Sequence, residues 1–413
     1  MYHKLINKIV RILRFNGIWP IESTVRSYKL LNLIFRLFNL TIIVLLMLLT
    51  IADAIANFND ISLITDNLCF FVGCSEALTK GIKYCIEYKN IVKLINDIYG
   101  PIDIINKKNN TEIMKGINET ARFENRQFNI ILGIVSLLVV ARVLGADFKN
   151  KQFPIRALFP FDATVSPYYH LIYLLISYGV LLVDYTLLGV DLMVVVIMRY
   201  LTIQVEILLA NCRHCDINST GRNILINSYD DKNNESTEIR NFVRFEIEHA
   251  DIDDKDSFDE RLKRCIIHHQ KVIYMLNGLN DCFSFCVVVQ ILGTTVLLCL
   301  NGFQIIMGHD IHLFMRRILA STAALLQLLL WCWYGNKLSA AADSLTINLW
   351  MCGWEDNYKH GLRNFISIPM TLSLQSLELR AIGVVPLSLQ TFVSAIKTSY
   401  SVLVLLLTVA KDQ

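Results

Sequence analysis

The chain has 413 residues, of which 54% are hydrophobic and 18% are charged, and its mean hydropathy is +0.44. This composition is too apolar for an ordinary soluble protein and favours a chain that crosses a membrane several times. The net charge of +3 is small, and the sequence has no basic tract with interleaved aromatic residues, so nucleic acid is not an expected partner.

Seven segments are apolar over a length that can cross a hydrocarbon layer of about 30 Å. We predict these spans at about 33–56, 61–83, 127–147, 168–212, 259–300, 313–335 and 387–410. A cationic leader, residues 1–32, precedes the first span and is too long for the charged region of a cleavable signal, so the first span is expected to stay in the membrane. The fourth span is longer than a bilayer requires, and its far end should project into the cytoplasm.

The distribution of Lys and Arg predicts the topology. With a cytoplasmic amino terminus, the inner segments would be 1–32, 84–126, 199–271 and 336–381, and these hold roughly thirty of the 39 cations, as the positive-inside rule requires. Seven spans then leave the carboxyl terminus outside the cell. This orientation opposes that of rhodopsin-like receptors, and the motifs Asp-Arg-Tyr and Asn-Pro-x-x-Tyr are missing after the third span and in the seventh. A G-protein-coupled receptor is therefore the alternative, and the sequons at Asn118 and Asn234 lie in predicted inner segments.

Charged residues interrupt the second and fourth spans. Glu76 and Lys80 are four residues apart, so they can pair on one helix face. Lys80 and Asp184 lie at similar predicted depths, and we expect a structural ion pair between them, with Asp191 as the other candidate partner.

The last segment, residues 382–413, carries a polar stripe. Ser394, Lys397 and Ser401 fall at steps of three and four residues and so share one face of a helix. That face has to turn away from lipid. From the residues alone, it either packs inside a bundle or lines a pore.

No pattern typical of a metal site or an active site is found. Cys212 and Cys215 lack a second matching pair of ligands, and the acidic run 251–256 lacks the Gly and Glu spacing of a calcium loop. His309 and His312 have no further ligands in their short loop, and His268 and His269 are interpreted as packing residues. We therefore expect neither an enzyme, nor a metal, nor a cofactor.

Five runs, in order, resemble the insect odorant receptor family. They are LFPFD at 158–162 with SPYYHLIY at 166–173, CIIHHQKVI at 265–273, WCWYGNKLS at 331–339, LSLQTF at 387–392 and IKTSYS at 396–401. The resemblance extends over essentially the whole chain. The last span lacks the pattern of gustatory receptors, and the inner loop is smaller than that of the shared odorant coreceptor, so the chain looks like a ligand-specific tuning subunit.

The resemblance implies an all-α membrane protein with seven transmembrane helices, a cytoplasmic amino terminus, an extracellular carboxyl terminus and a cytoplasmic helical anchor. Spans one to six would occupy 33–335, with a long cytoplasmic loop at 199–271, the anchor would lie at 336–381, and 382–413 would line a pore. The implied function is a subunit of a ligand-gated nonselective cation channel that detects small lipophilic volatiles. It would form a heterotetramer with the coreceptor in the plasma membrane of sensory-neuron dendrites. A metabotropic receptor is the alternative, and a transporter is a weaker one because the sequence shows no inverted repeat.

The resemblance also implies the positions of the sites. The odorant pocket would lie in the outer half of the bundle, and its candidate residues are Phe71, Cys74, Ser136, Val139, Val143, Tyr173, Ser177, Thr294, Leu298 and Leu319. Ser394 and Ser401 would form the hydrated wall of the pore, and Leu403 and Leu407 its apolar gate. Lys397 is expected to turn toward protein or toward the membrane interface. Trp350 and Trp354 are expected either to anchor the cytoplasmic subunit contact or to pack within the subunit.

Overall fold

A computed structural model describes residues 2–20, 25–107, 111–145, 151–163, 165, 168–213, 215, 258–308, 311–355, 367, 370–371 and 378–411. The helices are α1 (Tyr2–Phe15), α2 (Arg26–Ala56), α3 (Ile61–Lys107), α4 (Thr111–Leu144), α5 (Tyr168–Arg213), α6 (Phe258–Met307), α7 (Ile311–Trp350) and α8 (Leu389–Lys411). Two short strands, β1 (Arg380–Ala381) and β2 (Val385–Pro386), form an antiparallel hairpin before α8. The all-helical fold class is confirmed.

Within the part of the chain that the structure describes, seven helices, α2 to α8, each contain an apolar stretch long enough to cross a membrane. Their number and order confirm the spans predicted from the sequence. α3 and α7 are longer than predicted, because each continues past its apolar stretch as an amphipathic helix. In α3, Tyr84, Ile91, Leu94 and Ile98 recur at helical spacing and are all buried.

α5 is the centre of the bundle. Its apolar span is the most enclosed of the seven, with 78% of that stretch buried, and it contacts α1, α2, α3, α4, α6 and α7. Apart from Asp191, helix α5 is apolar on all sides from Leu187 to Met198, as expected for a helix surrounded by others. The peripheral α2 instead exposes a face of large apolar residues, including Leu33, Leu37 and Leu48. That face is suited to lipid.

α1 is an amphipathic helix and not merely a charged leader. Leu5, Ile9 and Leu13 are buried against the bundle, while Arg11 and Arg14 are exposed. The side chain of Leu13 reaches the backbone of α5 so closely at Gly189 that a Cβ there would meet it at 2.8 Å. α1 therefore defines one end of the bundle, here called the α1 end. The opposite end carries the α2–α3 turn and is called the α2–α3 end.

The β1–β2 hairpin sets the start of α8. Gly383 adopts a positive φ of 73° in the turn, and the Leu387 N–H donates to the Leu379 carbonyl at 2.9 Å. Asn280 of α6 fixes the hairpin by donating to the Glu378 carbonyl at 3.1 Å and accepting from the Arg380 N–H at 2.9 Å. α8 then runs along α6 and α7 at the edge of the bundle.

Candidate functional site

A charged network lies in the middle of the bundle. The Lys80 ammonium of α3 is fully buried and donates to Asp191 of α5 at 2.9 Å and to Gln290 of α6. Gln327 of α7 donates to the other Asp191 oxygen. The Lys80 ammonium also lies 5.4 Å from the ring centroid of Trp331. One cation thus joins four helices, and these partners satisfy its charge inside the bundle.

The ion pair predicted between Lys80 and Asp184 is wrong, and Asp191 is the partner. Asp184 instead faces Arg142 of α4, with an N···O distance of 3.5 Å. The prediction measured depth from the start of each helix at about 1.5 Å per residue, and so assumed that the helices start level and run parallel. The expected Glu76–Lys80 pair is present at 4.0 Å.

Glu76 occupies space that a glycine leaves open. The Glu76 carboxylate, which is 3% exposed, lies over Gly293 of α6, where a Cβ would overlap it. Gly293 therefore permits the α3–α6 contact at this level. Next to it, Gln290 donates to the Thr294 hydroxyl at 2.8 Å, so Thr294, predicted for the odorant pocket, lies beside the network.

Four predicted pocket residues lie on α4 and α5, two helices that contact each other. The Ser136 hydroxyl lies 2.9 Å from the Tyr185 hydroxyl, and Tyr173 donates to the backbone carbonyl of Val143. Val139 and Tyr173 are buried, at 6% and 7% exposure. This group lies toward the α2–α3 end of the bundle.

The remaining predicted pocket residues surround the same end. Cys74 is fully buried in an apolar cluster with Ile176 and Val180 of α5. The others are half-buried: Phe71, Ser177, Leu298 and Leu319. The sequence did not identify Gln290 and Gln327 as part of the polar centre. The sequence could have identified both, because each is an uncharged polar residue inside an otherwise apolar run.

A small cavity lies near the α1 end, away from the predicted pocket. Its volume is about 30 Å³, and its walls include Leu5, Phe128 and Tyr200. A volume near 30 Å³ is about that of one water, so this cavity is too small for a volatile organic ligand. It shares no residue with the predicted pocket.

The polar stripe of α8 faces outward from the subunit. Ser394, Lys397 and Ser401 are all exposed. Gln390 and Thr408 extend the same stripe at helical spacing and are exposed too. The opposite face, with Ala395 and Ser399, is buried against α6 and α7. Packing of the stripe inside this subunit is therefore excluded.

The two leucines predicted as a gate are both half-buried and do not belong to the stripe. Leu403 lies on the opposite face and packs on Gly302 of α6, where a Cβ would meet it at 2.9 Å. At 100° per residue, Leu403 is about 180° from Ser394 around the helix. The predicted hydrated wall and the predicted gate therefore lie on different faces of α8.

Two tryptophans mark the end of α7. The rings of Trp350 and Trp354 meet edge to face with centroids 5.4 Å apart, and the Trp354 indole donates to the Trp350 carbonyl at 3.1 Å. Trp350 is 51% exposed, so it offers a large apolar surface beyond the subunit. Within the predicted anchor region 336–381, residues 356–366, 368–369 and 372–377 lie outside the described residues, as does the acidic run 251–256.

Comparison with known proteins agrees with this architecture. Residues 60–400 match the 7tm odorant receptor family. The chain is 23% identical to odorant receptor 13a of Drosophila melanogaster over 432 residues, which covers 97% of this chain and 94% of the relative. Its fold is similar to the insect olfactory receptor OR5 from Machilis hrabei, alone and in complex with eugenol, with a TM-score of 0.74 for each. Identity to these structures is 13% and 14%, and each comparison covers 98% of both chains.

The family match extends over most of the chain, including five whole spans of the bundle, those of α3 to α7, and part of α8. The relative and the solved structures cover nearly all of it. The chain therefore belongs to the insect odorant receptor family and is an odorant receptor that crosses the plasma membrane several times.

Proposed function

We propose that this chain is the odorant-recognising, tuning subunit of a ligand-gated nonselective cation channel that it forms with a coreceptor subunit. Family membership supports a receptor for odorants. The similarity in fold to OR5, one of whose structures contains eugenol, supports a small organic ligand. The sensory-neuron dendrite is the proposed site of action.

The outward polar face of α8 is the observation that carries the proposed conduit. α2 exposes apolar residues such as Leu37, whereas the exposed surface of α8 carries Ser394, Lys397 and Ser401 beside apolar residues such as Leu405. A lysine in the centre of a bilayer costs about 3 kcal/mol on insertion scales, so this face favours water or another subunit over lipid. Neighbouring subunits that each contribute an α8 would enclose a hydrated path.

The proposed gate needs a movement of α8. Leu403 packs on Gly302 in the conformation described, so Leu403 reaches a central path only if α8 turns about its axis. An apolar ring can block ions by excluding water, and a rotation of α8 by about half a turn, which exchanges Leu403 for Ser394, would wet the path. Ser394, Ser401, Leu403 and Leu407 remain the proposed pore residues.

The proposed odorant pocket lies among the helices α3 to α7, at the α2–α3 end of the bundle. Its ten candidate residues are mostly apolar or aromatic with a few hydroxyls, which fits a small lipophilic ligand. The hydroxyls of Ser136 and Tyr185 lie next to each other there and could bind a polar group of the ligand. Glu76, Lys80 and Asp191 would close the pocket on the side of the α1 end.

Expression in a host cell with and without the coreceptor tests the proposal. We expect a cation current on application of volatiles only when both subunits are present, and the current should not depend on a G protein. A current that requires a G protein would instead support the metabotropic alternative. A current from this chain alone would contradict the tuning-subunit assignment.

A further inference from the structure

Four cysteines meet where α5, α6 and α7 come together at the α1 end. Cys212 and Cys215 lie at the end of α5, Cys265 in the second turn of α6, and Cys352 just after α7. All four are free thiols, and none is more than 4% exposed. Neither the odorant pocket nor the conduit of α8 uses them.

Cys265 is the centre of this cluster. Its Sγ lies 3.6 Å from the Sγ of Cys215, and it also hydrogen-bonds the thiol of Cys212. The spacing Cys-x-x-Cys brings both α5 thiols to the same side of the chain, and the tertiary structure adds the third. Hydrogen bonds to Cys265, together with burial, raise the pKa of the Cys212 and Cys215 thiols, so these two hold their protons.

Cys215 is held in position by its surroundings. Arg261 of α6 donates from Nε to the Cys215 carbonyl at 2.9 Å, and the Cys215 N–H lies 3.4 Å from the Cys212 carbonyl. The Cys215 thiol also contacts the Asn211 carbonyl at 3.4 Å. Arg261 and Cys265 are four residues apart and so share one face of α6. That face therefore fixes both the backbone and the thiol of Cys215.

We propose that Cys215 and Cys265 form an oxidative modification site, in which a peroxide converts the two thiols into a disulfide that joins α5 to α6. The sulfur atoms are already in van der Waals contact at 3.6 Å, and a bond of about 2.04 Å requires a further approach of about 1.6 Å. In a reducing cytoplasm the pair stays as thiols, and the disulfide forms only when oxidant is present.

The reaction balances with hydrogen peroxide as the oxidant. The Cys265 sulfur attacks one peroxide oxygen, the O–O bond breaks, and the products are a sulfenic acid and water. The Cys215 sulfur then attacks the Cys265 sulfur, and the S–O bond breaks. The hydroxide that leaves takes the remaining thiol proton and forms a second water. Two thiols and one peroxide therefore give one disulfide and two waters.

Peptide mapping of the purified full-length chain tests the site. The protein is treated with hydrogen peroxide, unfolded in the presence of an alkylating reagent and digested without reductant. We expect one cross-linked pair of peptides that contains Cys215 and Cys265 and is separated by reductant. If both cysteines are fully alkylated after peroxide treatment, the proposal is overturned.

Cysteine-to-serine variants identify the two sulfur atoms that form the disulfide. The cross-linked pair should disappear in Cys215→Ser and in Cys265→Ser. It should persist in Cys332→Ser, which removes a buried thiol of α7 next to the backbone of Phe392. The wild-type map does not depend on the folding of any variant. If the thiols are protected from alkylation before peroxide is added and a chelator releases them, they hold a metal, and the disulfide proposal fails.

Discussion

At the scale of single residues, the buried Lys80 connects the charged network at the centre of the bundle. Spacing along α3 was enough to predict that Glu76 and Lys80 share a face, because both residues belong to one helix. The partner on α5 could not be predicted, because Asp184 and Asp191 are two turns apart and differ in depth by about 10 Å. Only the relative shift of α3 and α5 distinguishes them.

Removal of the Lys80 charge should destabilise the protein, and further removal of the Asp191 charge should restore part of the lost stability. Lys80→Met leaves two carboxylates buried without their cation, and such a loss typically costs about 3–5 kcal/mol. We expect low surface expression and a lower melting temperature for this variant. Adding Asp191→Asn should restore much of both, as measured by surface labelling and thermal unfolding in detergent.

Asp184→Asn is the matched control for this pair. It removes a carboxylate of the same helix that pairs with Arg142. In the Lys80→Met background it should give no recovery. Recovery by Asp184→Asn but not by Asp191→Asn would instead support the Lys80–Asp184 pair that was predicted from the sequence.

At the scale of elements, α1 and α8 show what a periodic pattern can and cannot predict. The leader carries apolar residues at helical spacing, but only its cations were used for the prediction. The packing of α1 on α5 was therefore not predicted. For α8 the polar stripe was correctly assigned to one face. The direction of that face depends on which side of α8 touches α6 and α7, and the hairpin before α8 decides this.

Truncation of Leu13 tests the role of α1. Leu13 is fully buried against Gly189, so Leu13→Ala should destabilise the protein by about 2–5 kcal/mol. Arg11→Ala, on the exposed face of the same helix, should change stability by about 0.5 kcal/mol or less. Thermal unfolding of the two purified variants measures the difference. Equal melting temperatures would show that α1 does not depend on this contact.

Cysteine substitution along α8 tests the outward stripe. Ser401→Cys should react with a charged, water-soluble thiol reagent and change the odorant-evoked current of the assembled channel. Ser399→Cys, two residues earlier and 6% exposed, should not react. The eleven native cysteines make the unsubstituted chain the necessary baseline. Reaction of Ser399→Cys but not of Ser401→Cys would place the conduit on the opposite face of α8.

At the scale of the whole molecule, the alternation of helices and the charge distribution together suggest the orientation. The end of α3, the end of α5 and the start of α6 lie at the same end of the bundle as α1. The sequence in and between these elements carries many of the cations. From the positive-inside rule we propose that this end lies in the cytoplasm. On this proposal the carboxyl terminus of α8 lies outside.

Epitope accessibility tests this orientation. A tag at the carboxyl terminus should bind antibody on intact cells, and a tag at the amino terminus should bind only after permeabilisation. The sequons at Asn118 and Asn234 should remain without glycans, as measured by mobility after deglycosylation. A glycan at either asparagine would reverse the assignment and favour the topology of G-protein-coupled receptors.

The sequence by itself determined the number of spans, their order and the polar face of α8, because hydrophobic length and helical period are local properties of the chain. It also carried the family resemblance that the comparisons confirm. Only the tertiary structure decided that Lys80 pairs with Asp191, that Gly293 receives Glu76 and that Leu403 faces Gly302. Each of these depends on how far one helix is shifted or rotated against another. That shift results from packing over the whole contact between helices, which no single segment encodes.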